Sequence, residues 1–163
     1  MARKSAVLIP VIIAAVAIGG LGLAFMPQDI KNRSPDFPRG TVRINDDVIT
    51  VEVAHSVAEK QRWLTFRQDK LPVDNAMLMK YDKPDLYDIW MLNVNYNLDL
   101  IWFDQDGNAV YMKKDVPPCG SVLDQQGCTY KNTEPAMYIL AGTAGFADAH
   151  KIDIDTKMNI ISA

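Results

Sequence analysis

The most informative stretch of the sequence is NVNYNLDLIWFDQDGNAV, residues 93–110. It reads as a β-hairpin, because an apolar run leads into Asp-Gln-Asp-Gly and a second apolar run follows. Asp-Gly is a strong turn signal, since glycine adopts positive φ at little cost. The unusual residue is Asp99, a carboxylate set between leucines in the first strand. Three roles are open for it: a residue on a solvated strand face, a member of a buried structural ion pair or a working acid.

The two faces of this strand point to burial of Asp99. Side chains alternate across a strand, and within residues 98–103 both faces are largely apolar. This pattern predicts a central strand covered on both sides. A buried carboxylate without a partner is costly, so a cationic or hydrogen-bonding partner is expected. We expect Arg67 or Arg62, at the end of a predicted helix, because a guanidinium fits a carboxylate through two hydrogen bonds.

The N-terminal segment is predicted to be a membrane anchor. Residues 5–26 carry no charge and would span about 33 Å as a helix, close to the thickness of a bilayer core. Arg3 and Lys4 precede them, which predicts a cytoplasmic N-terminus and a domain outside the cell membrane. A cleaved signal peptide is the alternative, although the apolar stretch is longer than usual for one. Residues 27–40 read as a linker and residues 41–163 as the exterior domain.

Charge and motif content narrow the function. The formal net charge is −3 and the isoelectric point is about 5.3, which argues against a nucleic-acid partner because such binders carry a basic field. The sequence has no glycine-rich phosphate loop and no metal-ligand spacing, so neither a cofactor nor a metal is expected. It also has no nucleophile elbow, which argues against a nucleophilic hydrolase.

Most of the remaining segments are predicted strands. A capping box of Ser56 and Glu59 begins one short helix over 56–66, with an apolar face formed by Val57, Trp63, Leu64 and Phe66. The other predicted strands are 41–44, 48–54, 76–81, 86–92, 135–141 and a final edge strand MNIIS. We therefore expect a mostly β (α+β) fold: a compact, mostly antiparallel sandwich or barrel-like domain with one or two short helices, after a single transmembrane helix.

Cys119 and Cys128 are the only cysteines. Outside the membrane a disulfide is permitted, and their spacing predicts a bridge across a short loop. The alternative is a thiol pair for metal or redox work, although the spacing does not match a C-x-x-C motif.

A ligand cleft is a second possible feature. Trp90, Asn93 and Tyr96 combine aromatic faces with an amide near a predicted strand end, a combination that suits a small molecule or sugar. A core tryptophan with turn asparagines is the alternative.

Met77 and Met79 share a strand face, where thioethers either fill a core or bind Cu(I). The two histidines, His55 and His150, are expected at the surface.

Several blocks, in order, carry a family resemblance. VEVAHSVAEKQRWLTFRQDKL, AMLMKY, IWMLNVNYNLDLIWFDQDGNAV, PPCG with a later GCTY, and AMYILAGTAG resemble the domain of unknown function 192 (DUF192) family. The resemblance implies a compact, mostly β domain, often exported or membrane-tethered, without an established activity. The chain departs from the pattern where Trp63 and Ala76 replace glycines, Val94 a threonine, Asn97 a proline and Ala141 a glutamate. Any chemistry of that glutamate is therefore missing here.

These observations favour a non-catalytic binding or accessory module for an envelope component or a partner protein, held to the membrane through residues 5–26. One alternative is a carbohydrate-directed envelope hydrolase or lyase that uses Asp99, with Arg67 and Trp90 shaping its cleft. Another is a copper or redox accessory protein. The exposure of Asp99 distinguishes the binding module from the hydrolase or lyase. A catalytic Asp99 must open onto a concave pocket, whereas a structural one is sealed and paired.

Overall fold

The computed structural model describes residues 36–121, 123 and 127–163. The predicted anchor, residues 5–26, lies outside this part of the chain. Within it, no helix is both long enough and apolar enough to cross a membrane. The compact unit is Asp36–Ala163, and its first strand begins at Arg39, so the fold takes in the last residues of the predicted linker.

The described residues form nine strands and two short helices, which confirms a mostly β fold. In chain order they are β1 (Arg39–Ile44), β2 (Asp47–Ala54), α1 (Val57–Arg62), β3 (Asn75–Asp85), β4 (Asp88–Trp90), β5 (Leu98–Phe103), β6 (Ala109–Val116), β7 (Thr129–Lys131), β8 (Ala136–Thr143), α2 (Phe146–Ala149) and β9 (Met158–Ser162).

Seven of the strands form one sheet in the order β6-β5-β8-β3-β2-β1-β9, and β4 pairs with β7 in a second, two-stranded sheet. The large sheet is mixed, because β2 and β3 run parallel while its other pairs are antiparallel. A purely antiparallel sheet is therefore excluded. The reason is the crossover: β2 is joined to β3 through α1 rather than through a tight turn, and parallel neighbours need such a connection.

The predicted hairpin around Asp-Gly is present as β5 and β6. Gly107 has a φ of +82°, and a Cβ there would lie 2.2 Å from the carbonyl oxygen of Met158. The Met158 N–H in turn donates to the Gly107 carbonyl at 2.7 Å, next to a bridge between Asn108 and Lys157. The turn therefore brings the two edge strands, β6 and β9, together at one end of the sheet.

The core lies on both faces of the large sheet. All six residues of β5 are buried, and alternate side chains enter different clusters, as the sequence predicted. Leu98, Leu100 and Trp102 join the cluster that also holds Trp63 and Leu64. Ile101 and Phe103 join the opposite cluster, which packs against α2.

Two local predictions are wrong. Helix α1 begins at the predicted capping box but has no buried residue, and Val57 and Phe66 are 71% and 70% exposed instead of forming an apolar face. The helix ends at Arg62, so the buried Trp63 and Leu64 belong to the turns after it. Of the predicted strand 86–92, only the three residues of β4 form a strand. This strand pairs with β7 and not with the large sheet.

Candidate functional site

Asp99 is sealed inside the protein and held by backbone amides. It is 1% exposed. One carboxylate oxygen accepts from the Asp115 N–H at 2.8 Å, and the other accepts from Gly145 at 3.0 Å and Ala147 at 2.9 Å. Gly145 is the N-cap of α2 and has no side chain with which to cap it, so Asp99 supplies the cap from the neighbouring strand. The carboxylate thus joins β5, β6 and α2.

The prediction that Asp99 pairs with Arg67 is wrong. Arg67 instead donates two hydrogen bonds to Glu52, at 2.7 and 2.8 Å, and this contact raises the pKa of the guanidinium. Arg62 is exposed. Strand parity explains the outcome, because Asp99 shares its face with Ile101, on the side opposite the turn that carries Arg67. Glu52 alternates with valines that face the α2 side, so it points toward Arg67.

The predicted residues Trp90 and Asn93 do come together, in an open cleft of about 450 Å³ between α1 and β4. We call this the aromatic cleft. Its lining residues are Lys60, Gln61, Trp63, Thr65, Phe66, Asp88, Trp90, Leu92 and Asn93. Trp90 is 40% exposed and Phe66 is 70% exposed. Tyr96, the third predicted member, is buried and does not line the cleft, and burial raises the pKa of its hydroxyl.

The backbone at the aromatic cleft is strained. Phe66 has a φ of +60° and Asn93 a φ of +58°, and the Phe66 N–H donates to the Asn93 carbonyl at 2.7 Å. A bulky side chain in the left-handed region is unusual and costs about 1–2 kcal/mol. Such strain clusters at ligand sites, where the surrounding structure maintains it. Here it places a phenyl ring at the cleft wall without burying it.

The disulfide supports the same wall. Cys119 and Cys128 are joined, as predicted, and therefore are not a free thiol pair. The Cys119 N–H donates to the Met91 carbonyl at 3.2 Å, and the Met91 N–H donates to the Cys128 carbonyl at 3.0 Å. Met91 lies between Trp90 and Leu92, two lining residues, so the bridge fixes the strand that presents the indole.

The candidate copper ligands belong to the core. Met77 and Met79 are buried in the cluster that holds Trp102, and the Tyr81 hydroxyl contacts the Met79 sulfur at 3.9 Å. Residues 36–121, 123 and 127–163 contain no group of three or more His, Cys, Asp or Glu side chains that could hold a metal ion. Met77 and Met79 therefore fill the hydrophobic core in this fold.

His150 is buried, contrary to the sequence expectation, whereas His55 is exposed. The Nδ1 atom of His150 lies 2.7 Å from a carboxylate oxygen of Asp47, and its Nε2 lies 2.9 Å from the Val73 carbonyl oxygen. Both ring nitrogens face acceptors, so the geometry favours the doubly protonated ring. Burial lowers the pKa of His150, but the hydrogen bonds to Asp47 and Val73 raise it by more than burial lowers it. The pKa of His150 is therefore raised overall. No sequence motif marked this contact.

Comparisons with known proteins bear on the fold. The family model of DUF192, described as an uncharacterized ACR, matches residues 40–160. One similar crystal structure is of a protein from Sinorhizobium meliloti, described as a "putative transcription regulator", which shares 19% sequence identity with this chain. The two structures superpose with a TM-score of 0.68, and the match covers 78% of this chain and 98% of that one. A protein of unknown function from Novosphingobium aromaticivorans is 19% identical with a TM-score of 0.66, covering 82% and 98%. No curated protein gives a significant match. At this identity the two structures show the fold alone.

Proposed function

This chain belongs to the DUF192 family, and we propose that it is a membrane-tethered binding module whose aromatic cleft binds carbohydrate of the cell envelope. In this proposal residues 5–26 span the membrane with the N-terminus in the cytoplasm, and the domain lies outside. The disulfide supports the outer location, because structural disulfides persist in oxidising compartments.

The observation that carries the proposal is the pair of exposed aromatic rings at one cleft. Apolar side chains of this size are normally buried, so Trp90 and Phe66 at a concave surface indicate a ligand. Ring faces pack against the apolar faces of sugar rings, and amide, hydroxyl and ammonium groups orient the sugar hydroxyls. Gln61, Asn93 and Lys60 line the cleft and supply such groups.

Binding without turnover is the mode that the cleft favours. Glycoside hydrolysis generally uses two carboxyl groups that flank the bond to be broken. Asp88 is the one carboxylate among the described residues that line the aromatic cleft. Asp99 faces none of this space, since its oxygens are occupied by three backbone amides. The aromatic cleft by itself therefore lacks the acid pair that a hydrolase of this type would need.

Calorimetric titration tests the proposal. The full chain is purified in a detergent without a sugar headgroup and titrated with uncharged disaccharides built from glucose or N-acetylglucosamine. We expect saturable binding that weakens at least tenfold, about 1.4 kcal/mol, in Trp90→Ala. Ile161→Ala is the matched control, since Ile161 is an exposed apolar residue that does not line the cleft. Equal affinity of Trp90→Ala and wild type, or no binding of any saccharide, would refute the proposed function.

A further inference from the structure

A second cleft adjoins the first on the same side of the domain. It measures about 580 Å³ and is lined by Pro38, His55, Ser56, Val57, Glu59, Lys60 and Asp82. We call it the histidine cleft. Lys60 lines both clefts, so the two meet at its side chain. A ligand that extends out of the aromatic cleft past Lys60 enters the histidine cleft.

The ammonium group of Lys60 is fixed where the clefts meet. Its Nζ donates to the Lys80 carbonyl at 2.9 Å and lies 4.3 Å from the centre of the Tyr81 ring. Tyr81 in turn stacks on Tyr87, with ring centres 3.6 Å apart. A lysine ammonium has three N–H donors, and the Lys80 carbonyl uses one of them. The ammonium therefore keeps donors for an acceptor on a chain that is bound across the junction.

The polar side chains of the histidine cleft are largely partnered within the protein. His55 pairs with Asp82 at 3.1 Å. Glu59 accepts from the Ser56 N–H at 2.8 Å and the His55 N–H at 3.0 Å, so its carboxylate is committed to the start of α1. Across the two clefts Lys60 faces three carboxylates, Asp88, Glu59 and Asp82, which disfavours an acidic chain as the occupant. Glu59 and Asp82 already have hydrogen-bond partners within the protein, so they do not call for a cationic ligand. A polar, uncharged ligand matches this surface.

From these features we propose that the two clefts form one extended groove for a linear, uncharged oligosaccharide, with Lys60 contacting the middle of the chain. The inference rests on the proposed function and adds the length and charge of the ligand to it. The aromatic cleft holds the sugar rings that stack on Trp90 and Phe66, and the histidine cleft holds the rings that follow.

The experiment is a length series. The full chain, in the same detergent, is titrated with N-acetylglucosamine oligomers of one to six units and with an acidic counterpart, oligogalacturonate. We expect affinity to rise at least tenfold from the dimer to the longest oligomer, and the acidic series to bind no more tightly than the uncharged one.

Two variants locate the additional contacts. Val57→Glu puts a charge into the histidine cleft at an exposed position in the first turn of α1, where an acidic residue is compatible with the helix. We expect it to weaken the longest oligomer at least fivefold and leave the dimer unchanged, whereas Trp90→Ala weakens both. Lys60→Met, which keeps the apolar stem, should also affect the long oligomer more than the dimer.

The outcomes separate the two proposals. Dimer binding that does not strengthen with length, or a Val57→Glu variant that binds every length like wild type, would overturn the extended groove and leave the proposed function standing. Absence of binding at every length would refute both. Tighter binding of the acidic series than of the uncharged series would overturn the uncharged oligosaccharide as the ligand of the groove.

Discussion

Asp99 and Trp90 lie close together in the sequence but occupy opposite kinds of environment. The carboxylate, which looks out of place among leucines, is 1% exposed and satisfied by three backbone amides. The indole, which looks like a core residue, is 40% exposed at the edge of a cleft. In this domain the buried charge holds the architecture together, whereas the apolar residue left in solvent marks the surface available to a ligand.

The largest expected effect is at the sealed site. Asp99→Ala leaves three amide donors near α2 and β6 without their acceptor, and each buried unsatisfied donor costs about 1–3 kcal/mol. Allowing for partial relaxation, we expect the free energy of unfolding in urea to fall by about 3–5 kcal/mol. Asp69→Ala, at an exposed loop position, is the control and should change it by less than about 0.5 kcal/mol. A loss below about 1 kcal/mol for Asp99→Ala would show that the carboxylate does not hold β5, β6 and α2 together.

The disulfide supports the aromatic cleft and not the site of Asp99. The double variant Cys119→Ala/Cys128→Ala should lose about 2–3 kcal/mol of stability through greater freedom of the unfolded chain. It should also bind the disaccharide more weakly, since both cysteines hold Met91 beside Trp90. Treating wild type with a thiol reductant should reproduce the change, and the double variant is its unresponsive control. Unchanged affinity in the double variant would separate the bridge from the cleft.

A smaller effect is expected from His150, at the other end of α2 from Asp99. The groups that face it are Asp47, the Val73 carbonyl, Asp74 and the Phe146 ring. The pKa of His150 is raised above 6.5, so the stabilisation is fully present below that pH and is lost as the pH rises through the folded-state pKa.

The test of this contact is the pH dependence of unfolding. We expect the free energy of unfolding at pH 6 to exceed that at pH 9, and Asp47→Asn to reduce the difference. His55→Gln serves as the matched control at the exposed histidine and should keep the wild-type difference. If Asp47→Asn leaves the difference intact, the His150 contact does not contribute to it.

The hairpin and its core were readable from local pattern. Asp-Gly gave the turn before β6, and alternation correctly assigned both faces of β5. The capping box at Ser56 was also visible, since its two partners lie three residues apart. Each of these features depends on neighbours in the sequence, which is why a pattern suffices.

The features that were missed depend on contacts between distant segments. The cap on α2 comes from Asp99 across the sheet, and nothing near Gly145 announces it. Strand parity separates the two faces within β2 and within β5, but the order of the strands in the sheet decides which of those faces lie on the same side. The contact between Arg67 and Glu52 therefore could not be read from the sequence. The positive φ of Phe66 had no signal, because a phenylalanine there goes against the ordinary preference of the backbone.

The central claim is that ligand binds at Trp90 and not at Asp99, and nuclear magnetic resonance tests it most directly. The full chain, labelled with nitrogen-15 in a detergent without a sugar headgroup, is titrated with the N-acetylglucosamine hexamer. We expect progressive shifts of the Trp90 indole N–H and the Phe66 amide, with the Gly145 and Ala147 amides unmoved. Shifts at Gly145 and Ala147 with the Trp90 signal unchanged would contradict it.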